Sequence, residues 1–248
     1  MSFLNTLKAD LIKIKMQPIV WAHIIVPIAA SLVFLAYFGF TNWDTGSQFC
    51  GFFELIGCCF PVLIGIFSAN IAEQEQNAGA FQNMLSARSK TVSFMSKLVM
   101  ILLMGLGSVM GASLLFGLGS RFVISNHDFT ILQYLSIGLL VFACGIPLYA
   151  WHLFLAFKAG KGVTMGLGVV DSLISALFLT GIGDRLWLFT PFSWTARVPS
   201  AFAQNMVLAD GVQTGLKTWY LIYGIILVVS AAGYLFWSSR WEGGRAAE

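Results

Sequence analysis

Residues 19–40 read IVWAHIIVPIAASLVFLAYFGF, a run without a single Asp, Glu, Lys or Arg. A helix needs about 20 apolar residues to cross a hydrocarbon core about 30 Å thick. This stretch meets that length, so the solvent around it is lipid. Five further stretches, 51–72, 95–118, 131–157, 162–182 and 219–238, match it or come close. The expected fold is an all-α integral membrane protein with six transmembrane helices. Pro27 lies inside the first stretch. It bends that helix unless a neighbour satisfies the carbonyl it leaves free.

Composition agrees over the whole chain. The 248 residues are 58% hydrophobic and 10% charged, with a mean hydropathy of +0.81, whereas a soluble domain carries about 25% charged residues. No connection is long enough for a separate ATP-binding or catalytic domain. One membrane domain over 18–240 is therefore expected, with a helix over 1–17 before it and a short tail over 241–248 after it. The net charge of +3 comes from Lys and Arg set at span ends, not in a stripe, which gives no surface for nucleic acid. With the N-terminus taken as cytoplasmic, ten basic residues fall inside, among them Lys8, Lys13, Lys90, Lys97 and Arg240. Four, Arg121, Arg185, Arg197 and Lys217, fall outside. The positive-inside rule then puts both termini in the cytoplasm. The first apolar stretch is too long for a signal-peptide core and is expected to be retained.

The segments between the spans are more individual. In residues 1–17, Phe3, Leu4, Leu7, Leu11 and Ile14 fall on one helical face, with Lys8, Lys13 and Lys15 off it. That pattern predicts a basic amphipathic helix lying at the inner interface, near anionic headgroups. Gln17-Pro18 ends it. After the second span comes a polar run, 73–90, acidic first (Glu73, Glu75) and basic last (Arg88, Lys90). Two acids there run against the basic preference of inner span ends. Phe81, Met84 and Leu85 recur at i, i+3, i+4, predicting a short cytoplasmic helix with an apolar ridge available to a partner. Lys158 and Lys161 bracket a second, shorter inner turn. In the third span, Gly107 and Gly111 suit close helix contact. Residues 186–208, with Trp187, Trp194 and Phe202, predict amphipathic helix at the outer interface, tryptophans at headgroup depth.

The chain offers little for catalysis. HExxH, GxSxG and Walker sequences are absent, and His23, His127 and His152 lie in different segments. Neither a catalytic set nor a metal or cofactor site is expected. Cys50, Cys58, Cys59 and Cys144 read as buried free thiols. Asp171, near the middle of the fifth apolar stretch, is the sharpest single residue, since a carboxylate at span centre costs about 2.5–3.5 kcal/mol on insertion scales. It shares one helical face with Thr164, Gly168, Ser172 and Ser175. That face meets another helix or a cavity. Asp171 itself is open to three roles: a hydrogen bond to a neighbouring helix, a subunit interface, or a transport pathway. Glu54 and Asp44 near the outer surface could attract a cationic substrate or simply be solvated.

The order of these parts resembles the permease subunits of ABC-2 type transporters. The run Glu73-Gln-Glu75-Gln-Asn-Ala-Gly79 through Ser86-Ala-Arg88-Ser-Lys90 resembles the loop after the second span in lantibiotic-immunity permeases. The resemblance implies a hetero-oligomer in the bacterial cytoplasmic membrane. In it, a cytoplasmic ATPase dimer, which holds ATP and Mg, docks beneath two non-identical permeases. It implies ATPase coupling through Glu73, Glu75, Phe81, Met84, Leu85 and Arg88, with a second inner contact at Lys158 and Lys161. It further implies expulsion of an amphiphilic antimicrobial peptide; position alone, on the outer side where such a peptide partitions, makes Glu54, Trp187, Trp194 and Phe202 the expected handling surface. The expected alternatives are an ABC-2 permease for another lipophilic substrate and a stand-alone proton-linked carrier using Asp171.

Overall fold

The computed structural model describes residues 3–208 and 216–243, and every regular element among them is helical. The end of the tail expected over 241–248 lies outside the described residues. Among the described residues, five helices are long and apolar enough to cross a membrane: α2 (Pro18–Phe40), α3 (Thr45–Asn77), α5 (Lys90–Phe122), α6 (Ile131–Ala159) and α9 (Leu216–Arg240). They are joined by α1 (Phe3–Ile14), the single-turn α4 (Gln82–Leu85), α7 (Lys161–Leu177) and α8 (Trp194–Leu208). Pro18 starts α2 at the first helical position, where its missing N–H costs nothing.

The fifth apolar stretch forms α7, which is shorter than expected. Its 17 residues extend about 25 Å at 1.5 Å per residue, less than the hydrocarbon core. The reason is local. After Leu177 the chain folds back through three 3₁₀ turns, Gly181–Arg185, Trp187–Phe189 and Pro191–Ser193. The Arg197 guanidinium donates to the carbonyls of Phe178 and Thr180, closing the helix end. A Cβ on Gly183 would fall 2.2 Å from the Phe178 carbonyl oxygen, so only glycine permits the reversal.

α8 then runs into the bundle, against α3 and α6. Trp187 and Trp194, expected on an amphipathic outer surface, are instead buried within the protein. Trp194 Nε1 donates to the Trp187 carbonyl at 2.9 Å, and its ring meets Trp219 edge-on at 6.2 Å. An indole whose N–H is satisfied internally has no need of the interface.

α3 is the central helix, and its small residues set the crossings. A Cβ on Gly57 would lie 2.2 Å from the Thr195 carbonyl of α8, and one on Gly65 would lie 3.0 Å from the Thr164 carbonyl of α7. Backbones this close need glycine at the contact. In α5, by contrast, Gly107 and Gly111 have no atom within 4 Å of where a Cβ would stand. The tight position is Gly105, beneath the Tyr149 hydroxyl. Two residues along a helix is a rotation of about 200°, so Gly107 points away from α6.

Each span proline has its freed carbonyl answered by a hydroxyl from elsewhere. Pro27 leaves the His23 carbonyl, which accepts from Ser108 of α5. Pro61 leaves the Gly57 carbonyl, which accepts from Thr195 Oγ1 of α8 at 2.8 Å. Pro147 leaves the Ala143 carbonyl, which accepts from Tyr223 Oη of α9 at 2.8 Å. In lipid an unpartnered carbonyl costs several kcal/mol, so these bonds decide which helices the bent ones stand against.

Candidate functional site

The end of the bundle that carries α1 holds a buried ionic cluster. Lys97 sits two turns into α5 and is 3% exposed. Its Nζ donates to Asp10 Oδ1 of α1 at 3.1 Å and to Glu75 Oε1 of α3 at 2.7 Å. Lys13 also donates to Glu75 Oε1, at 3.1 Å, and Ser96 Oγ donates to Asp10 Oδ2 at 2.6 Å. Two positive and two negative groups cancel, with a donor on each carboxylate oxygen of Asp10 and two on Oε1 of Glu75. Unpaired, either carboxylate would be expensive to bury. The cluster fastens α1 to the ends of α3 and α5. A polar cavity of about 580 Å³ adjoins it, walled by Asn83, Ser86, Arg88 and Ser89.

Asp10 did not stand out in the sequence. Its signal is nonetheless there: Phe3, Leu7, Asp10 and Ile14 follow offsets 0, 4, 7 and 11, one helical face. Asp10 and Ile14 are buried on α5, while Leu4 and Leu11 are exposed. The buried face of α1 is thus rotated from the expected one, and the ion pair to Lys97 sets the rotation.

Between α3 and α4 the chain makes a strained reversal. Gly79, Ala80 and Phe81 have φ of 125°, 48° and 66°. Left-handed backbone costs about 1–2 kcal/mol for a residue other than glycine. Hydrogen bonds from Ala80 N to Gln76 O at 2.7 Å and from Gln82 N to Gly79 O at 3.0 Å hold the turn. So does the Phe81 ring, which meets Trp241 at 5.5 Å and Phe157 at 5.7 Å. Met84 is buried and Leu85 half-buried against the same core. The apolar ridge expected to face a partner is therefore turned inward, because aromatic side chains of α6 and the α9 end are there to cover it. Glu75 is turned inward too. Gln76, Asn77, Gly79, Gln82, Asn83 and Arg88 form the exposed side.

Two parts that were separate in sequence meet here. Lys161 Nζ donates to Glu73 Oε2 at 2.8 Å, both half-exposed, tying the α3 end to the α6–α7 turn. Lys158 stands exposed beside it, its ammonium 5.2 Å from the Phe154 ring centre.

Asp171 has a partner within the chain. His152 Nε2 of α6 lies 3.0 Å from its Oδ2, and both side chains are buried. Thr164, Gly168 and Ser175 are buried with Asp171 on the α7 face that meets α3. Ser172, half-buried, accepts from the Val62 amide at 2.9 Å. Neither His152 nor Asp171 alone signals the pair. Gly160 does, because α6 and α7 form a hairpin about it, and residues 8 before and 11 after come to similar depth.

At the opposite end, Glu54 is half-buried and accepts from Ser200 Oγ of α8 at 2.5 Å. Phe202 is half-buried. With Trp187 and Trp194 in the core, the expected outer handling surface is mostly an internal contact between α3, α8 and α9. The apolar side chains left exposed there include Leu186, Phe189 and Leu208.

Comparison with curated proteins yields no match. A family model described as ABC-2 family transporter protein matches residues 6–175. That span runs from α1 through nearly all of α7, and it includes both the Lys97 cluster and the His152–Asp171 pair. It covers more than half of the sequence, and the chain belongs to the ABC-2 family of transporter proteins.

Proposed function

We propose that this chain is the permease subunit of an ATP-driven exporter that expels an amphiphilic antimicrobial peptide from the membrane, giving self-immunity or resistance. Family membership makes it a membrane component of an ABC transporter, working with an ABC ATPase. The finer reading is as follows. The chain crosses a bacterial cytoplasmic membrane six times, through α2, α3, α5, α6, a shortened α7 and α9. The α1 end and both termini face the cytoplasm, and α1 lies at that interface. A second, non-identical permease stands alongside, and ATP and Mg are held by an ATPase dimer below.

One observation carries this reading: the reversal at 79–81 packs through Phe81 on Phe157 of α6 and on Trp241 just past α9, next to the Glu73–Lys161 pair that ties α3 to α7, while presenting a polar exposed side. A push on Gln82, Asn83 or Arg88 would move α3, α6 and α9 together rather than bend a loose loop. Glu73, Glu75, Phe81, Met84 and Leu85 act in this reading as the anchorage of the coupling element. Arg88 and Lys158 meet the ATPase directly. On the outside, Leu186, Phe189 and Leu208 offer the apolar surface for the peptide.

Co-purification with the cognate ATPase tests the proposal. Asn83→Trp with Arg88→Glu is expected to release the ATPase and leave the thermal midpoint of the permease unchanged. Phe81→Ala is expected to keep the ATPase bound but lower peptide-stimulated ATP hydrolysis. Export by the purified chain without any ATPase would overturn it. That last outcome favours the second reading, a proton-linked carrier, which draws on the buried His152–Asp171 pair.

A further inference from the structure

α6 and α9 run side by side, and a groove lies between them. Ala150, Trp151 and Phe154 of α6 form one wall, and Val229, Gly233 and Trp237 of α9 form the other. Trp151 and Val229 are exposed along its rim, so the groove faces out of the bundle. No atom lies within 4 Å of where a Cβ on Gly233 would stand. This glycine keeps the groove open. Trp237 also walls a second hollow at the helix ends, together with Phe157, Lys158 and Arg240. The two hollows therefore join. From Val229 to Arg240 the α9 wall is about 16 Å long. That is half of a hydrocarbon core about 30 Å thick, the depth of one leaflet.

The end of the groove is cationic. Lys158 and Arg240 are both exposed there, and neither pairs with a carboxylate among the described residues. Glu242, on the same wall, is exposed as well, so two cations stand against one acid. A long basic side chain at a span end is free to reach out into water. These two lie back toward the bilayer instead. The Lys158 ammonium is 5.2 Å from the centre of the Phe154 ring, and the Arg240 guanidinium carbon is 4.2 Å from that of Phe236. Each ring is one turn earlier in its own helix, within the range of a cation–π contact. Both charges are thus held at the mouth of the apolar groove.

We infer that this groove holds one anionic phospholipid, its acyl chain against Phe154, Gly233 and Trp237 and its phosphate between Lys158 and Arg240. Paired cations between spans at a membrane surface suit a phosphate head group. A soluble anion would leave the apolar length unused. An apolar helix of a second copy would cover two cations and give them no counter-charge. The inference needs only that α6 and α9 cross a bilayer, and it stands whatever the exporter's cargo is. Its test omits the ATPase, so the contact proposed there for Lys158 does not enter.

The test uses the full-length protein in phosphatidylcholine nanodiscs containing a trace of a photoreactive lipid. The probes are phosphatidylglycerol and phosphatidylcholine with the same mid-chain diazirine. Phosphatidylglycerol is expected to label peptides around residues 150–157 and 229–237 about five- to twentyfold more than phosphatidylcholine, the worth of two cations beside a lipid phosphate. Lys158→Gln and Arg240→Gln should each remove part of that excess, and together all of it. Gly233→Phe should remove it by filling the groove. Equal labelling by the two lipids on the unmodified protein overturns the inference. So does an excess that maps to other helices, or one that survives the double substitution or Gly233→Phe. The comparison of the two lipids needs no variant to fold.

Discussion

Tyr223 Oη of α9 donates at 2.8 Å to the carbonyl oxygen of Ala143, the one carbonyl of α6 that Pro147 deprives of its helical donor. α9 is otherwise largely exposed along its length, with one more hydrogen bond from the Tyr234 hydroxyl to the Phe94 carbonyl at 3.1 Å. One phenol thus repairs a kinked helix and positions the last span. Tyr223→Phe should lower stability by about 1–3 kcal/mol, the cost of an unsatisfied buried carbonyl. Adding Pro147→Ala restores the helical N–H and should recover most of the loss. Thermal unfolding of the two variants in detergent checks this. A double variant as unstable as Tyr223→Phe alone would contradict the account.

Thr195 does the same for Pro61, and here the consequence is where α8 sits. Thr195→Val is expected to loosen α8 from α3, whereas Thr195→Ser keeps the bond. Gly57→Ala should do more damage than either, because its Cβ would stand 2.2 Å from a backbone oxygen and cannot be accommodated by a side-chain rotation. Trypsin cleavage after Arg197, whose side chain is held against the end of α7, reports the release. Cleavage should rank Gly57→Ala above Thr195→Val, with Thr195→Ser at the level of the unmodified protein.

Lys97→Met strands two buried carboxylates at once. Removing one partner of a buried pair costs about 3–5 kcal/mol. The low end is expected here, since Lys13 remains 3.7 Å from Asp10 and 3.1 Å from Glu75. Glu75→Gln in the same chain should make the loss less than additive. Because the pairs are buried, added salt should change these differences little. Denaturation at low and high ionic strength distinguishes this from a surface network.

The reversal at 79–81 separates two substitutions that look alike. Ala80→Gly relieves a left-handed residue and should hold or raise stability by up to about 1 kcal/mol. Gly79→Ala imposes a side chain at φ of 125° and should lower it by more than that. Thermal midpoints measured side by side decide the order.

Asp44 caps α3, its carboxylate accepting from the Ser47 amide at 2.9 Å and from the Ser47 hydroxyl at 2.5 Å. The Ser47 hydroxyl, and after it the amide, hold this carboxyl below its ordinary range. A depressed value in the folded state means the cap stabilises at neutral pH. That contribution fades as the pH falls from about 4 through the folded value. Asp44→Asn should remove this part of the acid sensitivity, read from unfolding midpoints between neutral pH and pH 3.

Hydropathy alone located the five long spans, since crossing lipid is a demand on composition and length. Pro18, Pro27, Pro61 and Pro147 were equally legible, each removing a specific N–H. So were the acidic start and basic end of 73–90. The short α7 was not. Its end is set by Arg197, a residue nearly twenty positions later, reaching back to the Phe178 carbonyl. The burial of Trp194 was hidden as well, because an apolar residue facing protein and one facing lipid look the same in a sequence.

The linear order of residues determined that this chain lives in a membrane, where its helices run and which carbonyls they would leave unbonded. Tertiary structure alone decided which hydroxyl answers each of those carbonyls, that Asp171 meets His152, and that Phe81 and Glu75 turn inward. Those outcomes depend on the rotation and depth of one helix against another. Here they are set by backbone contacts such as Gly57 on Thr195 and Gly65 on Gly168, between residues far apart in the chain.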